Sequence, residues 1–228
     1  LGKRRKRTYQ MKLGIIDYGS GNLHSVEHAL VHAAAEIKGA SSIERVTTAA
    51  ELGMCDQIVL PGVGHFADCR NGLMAVDGMV EALRDAVMIR GRPFLGICVD
   101  MQLLADEGYE GQVTEGLGWI AGHVRPLPRT SQLDGAPDLK IPHMGWNTLH
   151  VKTEHPVLAG LDEAAQVYFV HSYFFETTSP DMVIATTDYG IAVPAAVGRD
   201  NLLGTQFHPE KSQQVGQQIL RQFLSWRP

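Results

Sequence analysis

An apolar run, Pro93-Phe94-Leu95-Gly96-Ile97, ends abruptly in the thiol of Cys98 and passes at once into Val99-Asp100-Met101-Gln102. A strand that delivers Gly-x-Cys into a sharp turn, with a helix behind it, is the thiol form of a nucleophile elbow. Gly96 lets the backbone turn tightly without a Cβ clash. The helix that starts after the thiol directs free N–H groups at it, which favours the thiolate and offers donors to an oxyanion. A chain that contains such an elbow must supply the strand, the turn and the helix together.

Far along the chain comes Gln206-Phe207-His208-Pro209-Glu210. A thiolate needs a base, and the base needs an orienting acceptor. In an extended segment His208 and Glu210, two residues apart, point to the same side. The set predicts Cys-His-Glu nucleophilic catalysis at an acyl or amide carbon. Taken singly, Cys98 reads as a small buried hydrophobe and His208 as a satisfied core or loop histidine. It is their joint presence that favours catalysis.

The elements around the elbow alternate. Residues 12–17 read as a buried strand, followed by a Gly/Ser/Asn turn and a helix over about 22–36. Residues 56–60 form a second clear strand, with a weaker one at 43–46 before it. Residues 68–90 read as mostly helical, with Gly72 and Gly78 as interruptions, and 94–98 is the strand that feeds the elbow. This alternation predicts a largely parallel sheet covered by helices. In the second half, Pro126, Pro128, Pro137 and Pro142 punctuate short β-like runs at 148–152, 167–173, 182–187 and 202–207, and a helix over about 213–226 closes the chain. The expected fold class is therefore α/β, with a mixed, largely parallel central sheet flanked by helices.

A chain of 228 residues that is 44% hydrophobic buries a full core as one domain. Its apolar runs are too short for a membrane span, and no signal-peptide pattern is read. Cys55, Cys69 and Cys98 are an odd count without metal-ligand spacing, which points to free thiols in a reducing compartment, the cytoplasm. The net charge of −5 includes Lys3-Arg4-Arg5-Lys6-Arg7; without those five, 15 basic residues face 25 acidic ones, a balance of −10. No nucleic-acid footprint is expected in the remainder. Residues 1–10 read either as a targeting or nucleic-acid arm or, preferably, as an added extension or upstream start that the fold does not need. The domain is expected over 11–228.

Two glycine motifs invite a dinucleotide reading. Gly62-Val63-Gly64-His65-Phe66-Ala67 matches G-x-G-x-x-A after a strand, and Gly19-Ser20-Gly21 also follows one. The strand after Gly62 ends in Cys98 rather than in the acidic residue such a site needs. The better role for Pro61-Gly62-Val63-Gly64 is a loop of exposed N–H groups beside the elbow, where an oxyanion hole is needed. His24, His28 and His32 recur every four residues along one helix face; a solvated or packing face explains them better than a metal site. No metal and no cofactor are expected.

With Leu60-Pro61-Gly62-Val63-Gly64, the elbow and His208-Pro209-Glu210-Lys211-Ser212, the chain resembles the class I glutamine amidotransferases. Asp17-Tyr18-Gly19-Ser20-Gly21-Asn22, Pro142-His143-Met144-Gly145-Trp146-Asn147 and Tyr168-Phe169-Val170-His171-Ser172-Tyr173 make it similar to one branch, the glutaminase subunits of imidazole glycerol phosphate synthases. The resemblance spans residue 11 to the C-terminus. It implies a flavodoxin-like amidotransferase fold in which Cys98 attacks the side-chain amide of glutamine, His208 moves the proton and Glu210 orients the imidazole. N–H groups at Val63, Gly64 and Val99 would hold the oxyanion. Gln102, Glu110, His171, Ser172 and Tyr173 match positions that hold glutamine. Ammonia would pass through a channel to a (β/α)8 cyclase partner that makes imidazole glycerol phosphate and an aminoimidazole carboxamide ribonucleotide in histidine biosynthesis. Asn22, Trp146, Tyr168 and Lys211 match the docking face, although Trp146 and Tyr168 also read as plain core aromatics.

One residue departs from the family pattern. Cys-x-Gly is expected at the elbow, and this chain has Asp100. A unit charge ~6 Å away at an effective dielectric near 20 would disfavour the thiolate by roughly 2–3 kcal/mol. Alternatively, an Asp in a first helical turn suits the dipole and satisfies an orphan N–H. The alternatives to the histidine-pathway glutaminase are a glutaminase serving chorismate, purine or pyridoxal phosphate synthesis, and a catalytically impaired cyclase-binding subunit.

Overall fold

Strands buried on both faces dictate the centre of the molecule. Residues 57–62 (QIVLPG) and 94–98 (FLGIC) are buried at every position, which is possible only where helices cover both sides of a sheet. A computed structural model describes residues 11–37, 42–129 and 139–228; the basic head and Pro137 lie outside the described residues. Among the described residues, no helix is long and apolar enough to cross a membrane.

The first half runs β1 (Lys12–Ile16), α1 (Leu23–Ala35), β2 (Ser42–Val46), α2 (Ala49–Leu52), β3 (Gln57–Gly62), α3 (Phe66–Ala75), α4 (Met79–Arg84), β4 (Phe94–Cys98) and α5 (Val99–Gln102). Three strands follow, β5 (Glu107–Glu110), β6 (Gln112–Glu115) and β7 (Gly122–Pro126). The rest comprises β8 (His143–Thr148), β9 (His150–Val151), β10 (Gln166–His171), β11 (Tyr173–Thr177), β12 (Val183–Asp188), β13 (Ala192–Arg199), β14 (Leu202–Thr205) and α6 (Gln213–Ser225). The main sheet has the order β2-β1-β3-β4-β14-β13-β12-β9. Its first five strands are mutually parallel, and the last three are joined antiparallel. The fold is thus α/β with a mixed, largely parallel sheet, as the alternation predicts.

Two smaller sheets differ from the sequence reading. Strands β11-β7-β5-β6 form one and β10-β8 the other. The run read as one strand over 167–173 is broken at Ser172 into β10 and β11, which join different sheets. Residues 107–126, left unassigned by sequence, form three strands: β5 and β6 pair as neighbours, and β7 joins them to the distant β11, with Phe175 opposite Val124. The helical reading of 68–90 is corrected at one of its two glycines. Gly78 interrupts it in a left-handed conformation, φ 66°. Gly72 stays inside α3 because the Tyr18 ring packs on it; an added Cβ would stand 2.9 Å from Tyr18 Cδ2.

Helices α1 and α6 pack side by side. Val26, Ala29, Leu30 and Ala33 are buried on one, and Ile219, Leu220 and Phe223 on the other. Buried Gln57 ties the sheet to the end of α6 by donating from Nε2 to the Phe223 carbonyl at 3.0 Å. Gly216 on α6 is pressed against the Pro209 carbonyl oxygen, between His208 and Glu210, so a Cβ there would collide with it. Helix propensity alone favours Gly216→Ala by about 1 kcal/mol. The collision reverses the sign: a net loss of about 1–3 kcal/mol is expected in urea unfolding, and a gain would disprove this packing.

Candidate active site

The site grows from the C-terminal edge of β3, β4 and β14. Register sets Gly62 directly beside Cys98, and β14 leads through Gln206 and Phe207 into His208. Cys98 has φ 57° and ψ −111°, a left-handed region costly for a residue with a Cβ and tolerated at nucleophile turns. A Cβ on Gly96 would lie 2.7 Å from the Asp100 carbonyl oxygen, so only glycine lets the chain return this closely. Helix α5 is a single turn of four residues. Its macrodipole is small, and the expected helix aimed at the thiol reduces to the N–H groups of that turn.

Cys98 is nearly buried, and so is the pair beside it. His208 Nδ1 lies 2.8 Å from Glu210 Oε1, with both side chains 1% exposed. The carboxylate accepts, so Nδ1 donates and Nε2 is the nitrogen left to exchange a proton with the thiol. Nε2 has no hydrogen-bond partner. The Cys98 sulfur is near enough to shift the imidazole's ionisation without meeting Nε2 in good hydrogen-bond geometry. Burial works to lower the His208 pKa; Cys98 and Glu210 outweigh it and push it up to about 9. Asn22, which precedes α1 at φ 72°, donates from Nδ2 to the same Glu210 oxygen at 2.6 Å.

These groups open into a cavity of about 520 Å³ lined by Asn22, Val63, Gly64, Cys98, Val99, Gln102, Glu110, His171, Ser172, Tyr173, His208 and Lys211. Residues taken from six separate stretches of sequence thus face one space. Gln102 Nε2 donates to the Tyr173 carbonyl and to Gln206 Oε1, both at 2.9 Å. Glu110 Oε2 accepts from the Phe66 N–H at 2.7 Å, which fastens the start of α3. The Val63 N–H donates to Ser20 Oγ at 3.1 Å, so this donor is engaged on the far side of its loop. A larger open groove of about 1630 Å³ lies between α1 and α6. It holds Glu210 and the exposed His24, His28 and His32, yet neither the thiol nor His208, so chemistry and not size marks the site.

A buried histidine pair braces one wall. The Tyr173 carbonyl only accepts, so His171 Nδ1 donates to it at 2.8 Å and Nε2 accepts from His143 Nδ1 at 3.0 Å. His143 Nε2 then accepts from Asn147 Nδ2 at 3.2 Å. Burial pushes His143 down to about 4 and His171 to about 3, keeping both neutral. Among the described residues no group of three or more His, Cys, Asp or Glu is arranged to hold a metal.

Trp146 and Tyr168 stand opposite each other on β8 and β10, with ring centroids 6.0 Å apart. Trp146 is 44% exposed and is therefore not a core aromatic. Lys211 Nζ sits 5.9 Å from the centre of the Tyr168 ring.

Asp100 departs from one of its two sequence expectations, the helix cap. It makes no helix-capping bond, and both carboxyl oxygens accept from the Tyr18 hydroxyl at 2.8 Å. The carboxyl fills the space beside Gly62, where a Cβ would collide with it. Burial raises its pKa to about 7, opposed by the Tyr18 hydrogen bond. Its charge acts on Cys69, whose thiol is pushed up to about 12 by burial first and Asp100 second. Sequence reading missed Ser20, Gln206, whose Nε2 stands 3.8 Å from Cys98 Sγ, and the His143–Asn147 relay. Gln206 and Ser20 lay inside quoted motifs, but nothing in their spacing showed where they point.

A family model described as glutamine amidotransferase class-I matches residues 14–226. The chain is similar to the imidazole glycerol phosphate synthase subunit HisH of Brucella suis biovar 1 (strain 1330), 52% identical over 96% of this chain and 100% of the relative. It is 51% identical to the protein of the same name from Rhodospirillum rubrum over the same shares. Among solved structures it is similar to PurLQS from Thermotoga maritima, with TM-score 0.67 at 16% identity over 95% and 99% of the two chains. It is also similar to the acivicin-bound CTPS glutaminase domain of Trypanosoma brucei, with TM-score 0.64 at 15% identity over 94% and 91%. These two share the fold.

The buried carboxyl has a consequence for stability. The unfolded Asp100 releases its proton near pH 3.8 and the folded one near 7. Its contribution is therefore fully present below about pH 4 and lost as pH rises to 7. Relative to Asp100→Asn, the parent chain is expected to lose a few kcal/mol across that window by denaturant titration. Parallel curves for the two proteins would refute the assignment.

Proposed function

Because this chain belongs to the class I glutamine amidotransferase family, we propose that it is the glutaminase subunit of an imidazole glycerol phosphate synthase in histidine biosynthesis. The observation that carries the reading is Cys98 at a strained turn beside a buried His208–Glu210 pair whose free nitrogen faces it. Half-identical, full-length relatives of that name support the choice within the family.

Glutamine binds with its side-chain amide at Cys98 and its polar ends among Gln102, Glu110, His171, Ser172 and Tyr173. The raised His208 pKa favours an imidazolium facing a thiolate. The sulfur attacks the amide carbon, and the carbonyl electron pair moves onto oxygen, held by N–H groups from Val63, Gly64 and Val99. As the tetrahedral intermediate collapses, His208 gives its proton to the leaving nitrogen. Ammonia departs, leaving a γ-glutamyl thioester that water cleaves with His208 as base. Glu210, braced by Asn22, keeps the imidazole oriented.

Ammonia released to water becomes ammonium, which is not a nucleophile, so the product must be passed on under cover. The partner is a (β/α)8 cyclase seated on the face that carries Asn22, Trp146, Tyr168 and Lys211. The exposed Trp146 and Met144, 44% and 62% accessible, support an apolar contact there. Residues 11–228 act as one domain, in the cytoplasm.

Cys98→Ala is expected to abolish glutamine hydrolysis while the reconstituted complex keeps ammonia-dependent synthesis. Loss of the ammonia-dependent reaction in an intact complex would overturn the division of labour. The isolated chain is expected to hydrolyse glutamine far more slowly than the complex, because the Val63 N–H is held by Ser20. Equal steady-state rates for the two would refute that.

A further inference from the structure

The buried cluster behind the elbow is used by no step of the reaction. The backbone of Val63 is held on both sides, its N–H donating to Ser20 Oγ at 3.1 Å and its carbonyl accepting from Cys69 Sγ at 3.4 Å. Ser20 and Cys69 both border the Tyr18 hydroxyl closely enough to influence its ionisation. That hydroxyl donates to Asp100, 82 residues away, at the floor of the loop beside Gly62. The Tyr18 ring is locked in turn against Gly72 of α3.

We propose that Asp100 is a positioning residue that acts through Tyr18 to hold the Val63 N–H turned toward Ser20, and so suppresses hydrolysis of glutamine by the chain alone. This rests on reading Cys98 as the nucleophile and the 61–64 loop as part of the oxyanion site. A glycine at position 100 leaves the Tyr18 hydroxyl without its acceptor and the space under Gly62 unfilled. Both changes loosen Ser20 and Cys69, the two groups that fix Val63. A Val63 N–H released from Ser20 is then free to serve an oxyanion on Cys98. Asp100 therefore restrains the oxyanion loop without touching the reacting atoms.

The test uses the full chain and two variants, Asp100→Gly and Tyr18→Phe, the second removing only a hydroxyl. Steady-state glutamine hydrolysis by the chain alone is read as kcat and KM, and hydrogen exchange of the 57–66 segment is followed by mass spectrometry. Both variants are expected to raise kcat about fivefold to tenfold with KM unchanged, and to speed exchange in that segment, since one hydrogen bond's restraint is released. Unchanged kcat and unchanged exchange in Tyr18→Phe would overturn the proposal, leaving Asp100 a packing residue only. If the parent turns over no glutamine even with its cyclase partner, the glutaminase reading falls. The exchange comparison still decides whether the bracket holds the loop.

Discussion

Side-by-side parallel pairing of β3, β4 and β14 is the constraint on which the rest of the structure depends. Backbone N–H and C=O groups buried on both faces must pair with a neighbouring strand. That requirement sets Gly62 against Cys98 and Thr205 against Ile97. Since all three strands run the same way, the loops that leave them emerge at one edge, where open α/β sheets place their sites. Residues 62, 98 and 208 become neighbours for that reason alone. A one-residue slip of β14 would turn its side chains to the opposite face.

Around that edge polar side chains are paired with one another in chains. Asn147, His143, His171 and the Tyr173 carbonyl form one directed series. Tyr18 and Asp100 form another beneath the opposite wall. Buried groups left unpaired cost free energy and so become rare. Near the thiol two atoms stay without partners, His208 Nε2 and Glu210 Oε2. One of them, His208 Nε2, faces the sulfur, where it can give and take the proton that the proposed chemistry moves. Among the described residues three more such atoms lie elsewhere, on Arg70, His123 and Gln222, but only His208 and Glu210 belong to the pair beside the thiol.

The elbow also sets what its surroundings can be. A backbone that turns back at Cys98 brings the Asp100 carbonyl onto Gly96 and the Asp100 carboxyl onto Gly62. Two glycines are thus required by one turn, for close approach rather than for flexibility. Gly62 had a competing explanation as part of a phosphate-binding loop; the carboxyl that packs on it gives that space to the elbow.

Local sequence determined the parts whose signal is local. Continuous apolar runs defined β1, β3 and β4, the turn after β1 marked the start of α1, and Gly-x-Cys with His-x-Glu pointed to the chemistry, because each is written within a few residues. Strands β5 and β6 pair locally but are short and mostly polar. Strand β7 was not legible, since it is completed by a partner, β11 with Phe175, that lies far along the chain. Gly72 misled for the same reason, its place in α3 being decided by the Tyr18 ring. Most of all, the sequence showed that Asp100 breaks a pattern but not where its carboxyl points. Only the tertiary structure brought Tyr18 across the sheet to meet it, 82 residues away, because a buried carboxyl turns toward whichever donor the fold delivers.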